Sequence, residues 1–264
     1  MAGRVVRISL APVKALGLVH PDEVELTRTG VVGDRRFWIL DADGRLVNGK
    51  RFPEGMRIRP TWDESSRRLS LAFPDGREVA GVVEPGAPVE ATLYRLPHPS
   101  RAVPGPWQDA LSAFFGEPVT LLWSEGGAVD RGADRGGWAS IVSRASLERL
   151  RREAGVAGEV DGRRFRMLLE IDGVAEHAED EWLGGRVQVG DAVLAPLGDV
   201  GRCVTTTRNP DTALFDLDTL EVLARYRREG VTEDLPLGVY CDVVVPGRVR
   251  VGDPVSPVAA AVAS

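Results

Sequence analysis

The side chains of this 264-residue chain best suited to nucleophilic or soft-metal chemistry are its two cysteines, Cys203 and Cys241. Cys203 lies in Gly201-Arg202-Cys203-Val204-Thr205-Thr206-Thr207, followed by Arg208-Asn209-Pro210-Asp211-Thr212. A cation beside a thiol favours the thiolate, the form that attacks electrophiles or ligates soft metals. The three threonines add hydroxyl donors, and Asn209-Pro210-Asp211 reads as a turn. A free cysteine more often packs as a small hydrophobe, so this window alone leaves an inert and a reactive thiol both open. Cys241, between Tyr240 and the run Val243-Val244-Val245, reads as a core residue. The cysteines form no CxxC pair, which argues against a cysteine-rich zinc site and a secreted disulfide scaffold. His20, His98 and His177 sit in unrelated contexts, so a cysteine nucleophile finds no partner base. No GxGxxG, P-loop, HExxH or GxSxG motif occurs.

The cations form a second pattern. Of 33 basic residues only Lys14 and Lys50 are lysines, so a generic positive position in this chain is filled by arginine. Lys14, in Val13-Lys14-Ala15-Leu16-Gly17, is thereby singled out, because a compact ammonium differs in chemistry from a planar guanidinium. Gly33-Asp34-Arg35-Arg36-Phe37-Trp38 sets two arginines before a hydrophobic strand, and Arg163-Arg164-Phe165-Arg166 does the same before Met167–Ile171. Cations at strand mouths suit an anion such as phosphate. Any one cluster taken alone reads first as ordinary surface charge, and it is the three together, with the thiol, that shift the balance.

These residues need a scaffold, and the periodicity describes one. Short alternating segments such as Arg4–Leu10, Val24–Thr27 and Leu69–Phe73, punctuated by Asp43-Gly44 and Pro74-Asp75-Gly76, predict strands and hairpins in the first half. Pro106–Phe115 predicts an amphipathic helix, and Ser124–Gly137 a long polar loop between two lobes. Helices follow over Ser143–Glu153 and Asp218–Arg228, with strands over Met167–Ile171, Val187–Val189, Ala192–Ala195 and Cys203–Thr207. Tyr240–Val245 and Val249–Val251 predict a closing hairpin, and Ala259–Ser264 a fraying tail. The fold class is α+β and β-rich, with few helices. A net charge of −6 argues against nucleic-acid binding, and no apolar run is long enough to span a bilayer. A cytoplasmic location is the expectation.

In order and spacing these windows resemble the molybdenum cofactor sulfurase C-terminal (MOSC) family with its N-terminal MOSC β-barrel domain. The first signature runs through Pro12–Gly17 and Thr29–Trp38. The second runs through Arg164–Arg166, Glu179–Trp182, Arg202–Thr207 with Asn209–Thr212, Ala224–Arg227, Gly238–Tyr240 and Pro246–Asp253. The resemblance implies an N-terminal β-barrel-like domain over residues 1–123, packed on a MOSC β-barrel domain over 124–264. It implies a bacterial molybdenum-cofactor oxidoreductase similar to the amidoxime-reducing component. Such an enzyme reduces N-hydroxylated small molecules with electrons from separate proteins (a ferredoxin, a cytochrome b5-like protein or a flavin reductase). By this resemblance Cys203 is the catalytic residue and metal ligand. Lys14, Arg35 or Arg36, Arg166, Arg202 and Tyr240 contact the cofactor, and Arg135-Gly136-Gly137 brings backbone to it. Three positions depart from the family pattern: Ala15 and Gly201 stand where serine is common, and Leu168 where asparagine is. A non-catalytic carrier of the cofactor, or of sulfur on Cys203, is the alternative.

Overall fold

The structure is a computed structural model that describes residues 2–93, 96–125 and 136–258. Most of the expected Ser124–Gly137 loop, with Arg135, lies outside the described residues, as do Tyr94 and the tail Ala259–Ser264. The fold is β-rich with three helices among the described residues.

The second half builds a closed seven-strand barrel in the order Gly3–Ile8, Leu169–Asp172, Ala139–Ser143, Pro236–Val245, Ala192–Gly201, Val187–Val189, Pro254–Pro257. Its first stave is supplied by the chain's N-terminal strand, which pairs antiparallel with Leu169–Asp172 and Pro254–Pro257. Closure removes free edges, and alternate residues fill the interior: Val5, Ile141, Ile171, Leu194, Val239 and Cys241 are among those fully enclosed. Cys241 is therefore a core residue, as its neighbours suggested. Pro246-Gly247 does not make the expected hairpin. Gly247–Arg250 pairs instead with Glu23–Thr27, because Gly247 packs its backbone onto Asp191 and Ala192, where a Cβ would sit 2.6–2.8 Å away.

The first half packs a four-stranded sheet (Phe37–Leu40, Thr120–Ser124, Ser100–Ala102, Pro88–Val89) and a three-stranded meander (Arg59–Asp63, Arg68–Ala72, Glu78–Val82) about its own core. Helix Pro106–Phe115 closes that core with Trp107, whose indole N–H donates to the Leu69 carbonyl at 3.2 Å. The Asp75-Gly76 turn joins two antiparallel partners as expected, whereas Arg45–Val47 makes only a single bridge, Leu40 to Leu46.

Helix Arg144–Ala154 is capped by Ser143, whose side chain accepts from the Ser146 N–H, and ends at Gly155 in the left-handed region. It packs against the helix Thr219–Tyr226, capped in turn by Asp218. Beneath them Glu179-Asp180-Glu181-Trp182 forms a structural turn: Glu179 accepts from the Ser143 N–H (3.0 Å) and the Ser146 hydroxyl (2.7 Å), and Asp180 pairs with Arg227 at 2.8 Å. His177 lies in this cluster, both ring nitrogens buried and without a hydrogen-bond partner, its Nδ1 4.0 Å from the Asp180 carboxylate.

Desolvation, reinforced by the Arg227 charge, pushes His177 down from 6.5 to about 4. An unfolded chain then takes up the proton first, so this residue's contribution is intact above pH 6.5 and is lost as the pH falls toward 4. Relative to His177→Gln, the wild type should lose up to about 1.4 kcal/mol per pH unit in that window. Glu179 and Asp180, which burial pushes up, act in the opposite sense in both proteins. Urea titrations between pH 7 and 4 check this, and parallel curves for the two proteins would refute it.

Candidate functional site

The two halves meet at a cleft of about 350 Å³. Strand Ala192–Gly201 ends at its wall and delivers Arg202 and then Cys203, which is half-buried. The strand expected over Cys203–Thr207 is instead a short 3-10 turn, Val204–Thr207. Its threonines explain the difference. The Thr206 and Thr207 hydroxyls donate back to the Cys203 and Val204 carbonyls at 2.9 and 2.8 Å, taking groups that a sheet ladder would need. The chain therefore leaves the barrel directly after the sulfur.

Six cations line the cleft, Lys14, Arg35, Lys50, Arg164, Arg166 and Arg202, and no carboxylate does among the described residues. Arg202 is half-buried, with its guanidinium turned into the protein. It donates to the Phe165 carbonyl at 3.1 Å and to the Leu237 carbonyl, meets the Met167 sulfur at 3.0 Å, and lies 5.2 Å from the Phe165 ring centroid. Its Nε is buried without a partner. Desolvation pushes its pKa down to about 10, against the opposing influence of Tyr240, Cys203 and Glu233. Arg164 has a framing role: it donates to the Thr206 and Arg208 carbonyls and pairs with Asp216, fixing the segment that follows Cys203.

Three of the cleft's residues hold left-handed backbone without being glycine: Ala15 (φ 74°), Arg35 (φ 47°) and Arg166 (φ 54°). Such conformations persist where the surroundings enforce them, and they cluster at functional sites. Arg35 pairs with Asp34 and donates to the Arg166 carbonyl at 3.4 Å, joining the walls contributed by the two halves. Tyr240 and Ser140 stand opposite one another on paired barrel strands at the cleft wall.

Of the residues singled out in the sequence, the structure thus gathers Cys203, Lys14, Arg35, Arg166, Arg202 and Tyr240 around one cleft. Arg36 is not among them; it pairs with Glu64 at 3.0 Å and covers the Trp123 ring. The left-handed turn at Arg35 sends consecutive side chains in different directions. Gly136 and Gly137 lie against Asp242, whose carboxylate accepts the Gly137 N–H at 2.8 Å, and neither lines the cleft. Of the three departures, Ala15 and Gly201 line the cleft, whereas Leu168 is buried with the barrel core. Beside Gly201 the Glu233 carboxylate already fills the space of a side chain: a Cβ there would meet its oxygen at 2.6 Å.

Sequence reasoning passed over the segment Asn48-Gly49-Lys50, which forms the lip facing Cys203. The scarcity of lysine that singled out Lys14 applied equally to Lys50. Gly49 rests on Thr205, where a Cβ would lie 2.7 Å from the Thr205 methyl carbon.

Comparison with known proteins matches residues 2–116 to the MOSC N-terminal beta barrel domain and residues 137–256 to the MOSC domain. Mitochondrial amidoxime-reducing component 1 of Mus musculus is 26% identical over 283 residues, covering 96% of this chain and 82% of that protein. The Homo sapiens protein of the same name is 27% identical over 293 residues, with the same coverages. Among solved structures, the YuaD protein from Bacillus subtilis aligns with a TM-score of 0.47 and 14% identity, over 97% of this chain and 94% of that one.

Two outcomes are expected from this geometry. Brief treatment of native protein with iodoacetamide should label Cys203, while Cys241, sealed in the barrel with its thiol pushed up by burial, should react more than about a hundredfold more slowly. Peptide mapping checks this; equal labelling would contradict it. Gly49→Ala should cost about 1 kcal/mol by overpacking against Thr205, and Thr205→Ser in the same chain should recover most of it. Denaturant midpoints of the single and double variants decide that pair.

Proposed function

The chain belongs to the family of MOSC-domain proteins that carry the N-terminal MOSC β-barrel domain, and on that premise we propose that it is a molybdenum-cofactor reductase of N-hydroxylated small molecules. The single observation that carries the reading is a half-buried thiol set in a cleft with six cations and no carboxylate among the described residues. A soft sulfur donor suits molybdenum, and guanidinium forks and an ammonium suit a phosphate-bearing pterin. The buried Arg202 Nε without a protein partner supplies an unused donor on the same wall.

In this reading Cys203 is the protein's ligand to the metal, Arg202, Arg166, Arg35 and Lys14 hold the anionic part of the cofactor, and Tyr240 adds a hydroxyl. When bound, the molybdenum centre supplies a two-electron couple and an acceptor for oxygen. The net change is R–NHOH plus two electrons and two protons giving R–NH2 and water, the electrons coming from a separate redox protein. The protein's own contribution is positional. The barrel strand fixes Cys203, Arg164 fastens the turn after it, and the Arg35–Arg166 contact keeps the walls together.

The carrier reading uses the same residues without turnover. It is favoured by Leu168, which is turned into apolar packing and offers no polar group to a ligand.

Protein produced in cells that make the cofactor should contain molybdenum close to one atom per chain by mass spectrometry. It should also reduce benzamidoxime when a chemical or protein donor is supplied. Cys203→Ser should lower metal content about tenfold or more, with activity falling in parallel, and Cys241→Ser should change neither beyond its effect on folding. Metal-loaded protein that reduces no N-hydroxylated compound would favour the carrier; metal-free protein would remove both readings.

A further inference from the structure

Both lysines of the chain, Lys14 and Lys50, line the same cleft although thirty-one arginines are distributed over the molecule. Lys14 is half-buried and stands beside left-handed Ala15. Lys50 belongs to the lip, where its circumstances differ from those of every nearby arginine. Arg45 pairs with Asp43, and Arg51 pairs with Asp41 and lies 5.1 Å from the Phe52 ring. The side chain of Lys50 is exposed and makes no ion pair or hydrogen bond among the described residues.

The backbone beneath it is nonetheless held. The Asn48 carboxamide oxygen accepts the N–H groups of Lys50 (3.0 Å) and Arg51 (3.3 Å), its amide donates to the Leu46 carbonyl (3.2 Å), and Gly49 is seated against Thr205. This turn, seated against the segment that follows Cys203, therefore presents one ammonium at the exposed edge of the cleft, with the Asn48 carboxamide and the adjacent Arg45 and Arg51 engaged elsewhere. A single flexible cation at the rim, above a floor already supplied with guanidinium groups, fits the distal end of a ligand whose reacting end lies at the sulfur.

We propose that Lys50 is a specificity-determining residue that selects substrates carrying a carboxylate or a phosphate away from the N–O group. The inference rests on the reductase reading for the reaction, and it names the class of substrate: anionic N-hydroxylated small molecules rather than neutral ones.

The test compares benzamidoxime with its para-carboxylated analogue on the metal-loaded protein. The wild type should show the lower KM for the carboxylated compound. Lys50→Met should raise that KM about five- to tenfold, leaving kcat and the neutral substrate within about twofold, and Lys50→Arg should recover most of the loss. Calorimetric titration of both compounds without any electron donor should show the same selective loss of affinity. An equal change for both substrates, or none, overturns the proposal. A fall in molybdenum content in Lys50→Met also overturns it, by assigning the residue to the cofactor. If the loaded wild type reduces neither compound, the reductase reading fails; the titrations still decide whether Lys50 distinguishes the charged compound from the neutral one.

Discussion

A guanidinium taken out of water has to find acceptors for its donors, and at Arg202 that requirement organises the cleft. Its acceptors are the carbonyls of Phe165 and Leu237 with the sulfur of Met167: Phe165 ends a 3-10 turn, Met167 follows it just before the strand Leu169–Asp172, and Leu237 lies in the strand Pro236–Val245. One side chain just past the end of the strand Ala192–Gly201 therefore ties the Phe165–Met167 segment to the strand that carries Leu237. Because these partners are neutral, they satisfy donors without cancelling the charge. What remains of its field falls on Tyr240, Cys203 and Glu233, the groups that oppose the lowering of its pKa. An apolar residue at 202 would leave two carbonyls wanting donors, a loss beyond the charge itself.

The second constraint is backbone strain held in place by ordinary hydrogen bonds. Ala15, Arg35 and Arg166 each occupy a region that costs a side-chain-bearing residue about 1 kcal/mol or more. Each is flanked by bonds that fix it. The Arg35 N–H donates to the Ala11 carbonyl (2.8 Å) and the Arg166 N–H to that of Arg163 (3.1 Å), while Lys14 N–H and Leu16 N–H donate to Phe37 and Val13 on either side of Ala15. Arg163 is in turn locked between Asp161 and Asp211, which raise its pKa well above the usual arginine range. The cation at 163 is thus spent on framing and the one at 166 is left for the cleft, a division of labour between residues that look interchangeable in the chain.

That division shows what was legible in the sequence and what was not. Alternation marked the barrel strands, and Ser143, Asp218 and Gly155 marked helix ends, because these signals act over a few residues. Cys241 was legible as core from its apolar neighbours. The pairing of Gly247–Arg250 with Glu23–Thr27 was not, since it joins segments more than two hundred residues apart and is decided by how closely Gly247 approaches Asp191. The turn after Cys203 was hidden for a different reason. Threonine is a good strand former, and only the tertiary setting (the Thr206 hydroxyl also meets Thr219 at 2.7 Å) turns its side chain back on the main chain. At the site, the sequence could propose only that one of Arg35 and Arg36 mattered. It could not separate them, because the left-handed φ at 35 is a property of the fold and not of an arginine.

Electrostatics then explains why the cleft's lining and the chain's overall charge are free to differ in sign. The molecule carries a net −6, yet six cations converge on one concavity. Arg35 and Arg164 are compensated by Asp34 and Asp216, neither of which lines the cleft, so their neutralising partners stand outside the volume a ligand would enter. Surface potentials decay over about 8 Å at physiological ionic strength, so the acidic exterior exerts little force on a ligand already inside. Inside, donors removed from water act on an anion at far lower effective dielectric, where an equal charge separation is worth several times more. Discrimination by charge is thereby confined to the last few ångströms of binding. Long-range attraction makes little contribution, and the ligand is read by the groups that line the cleft itself.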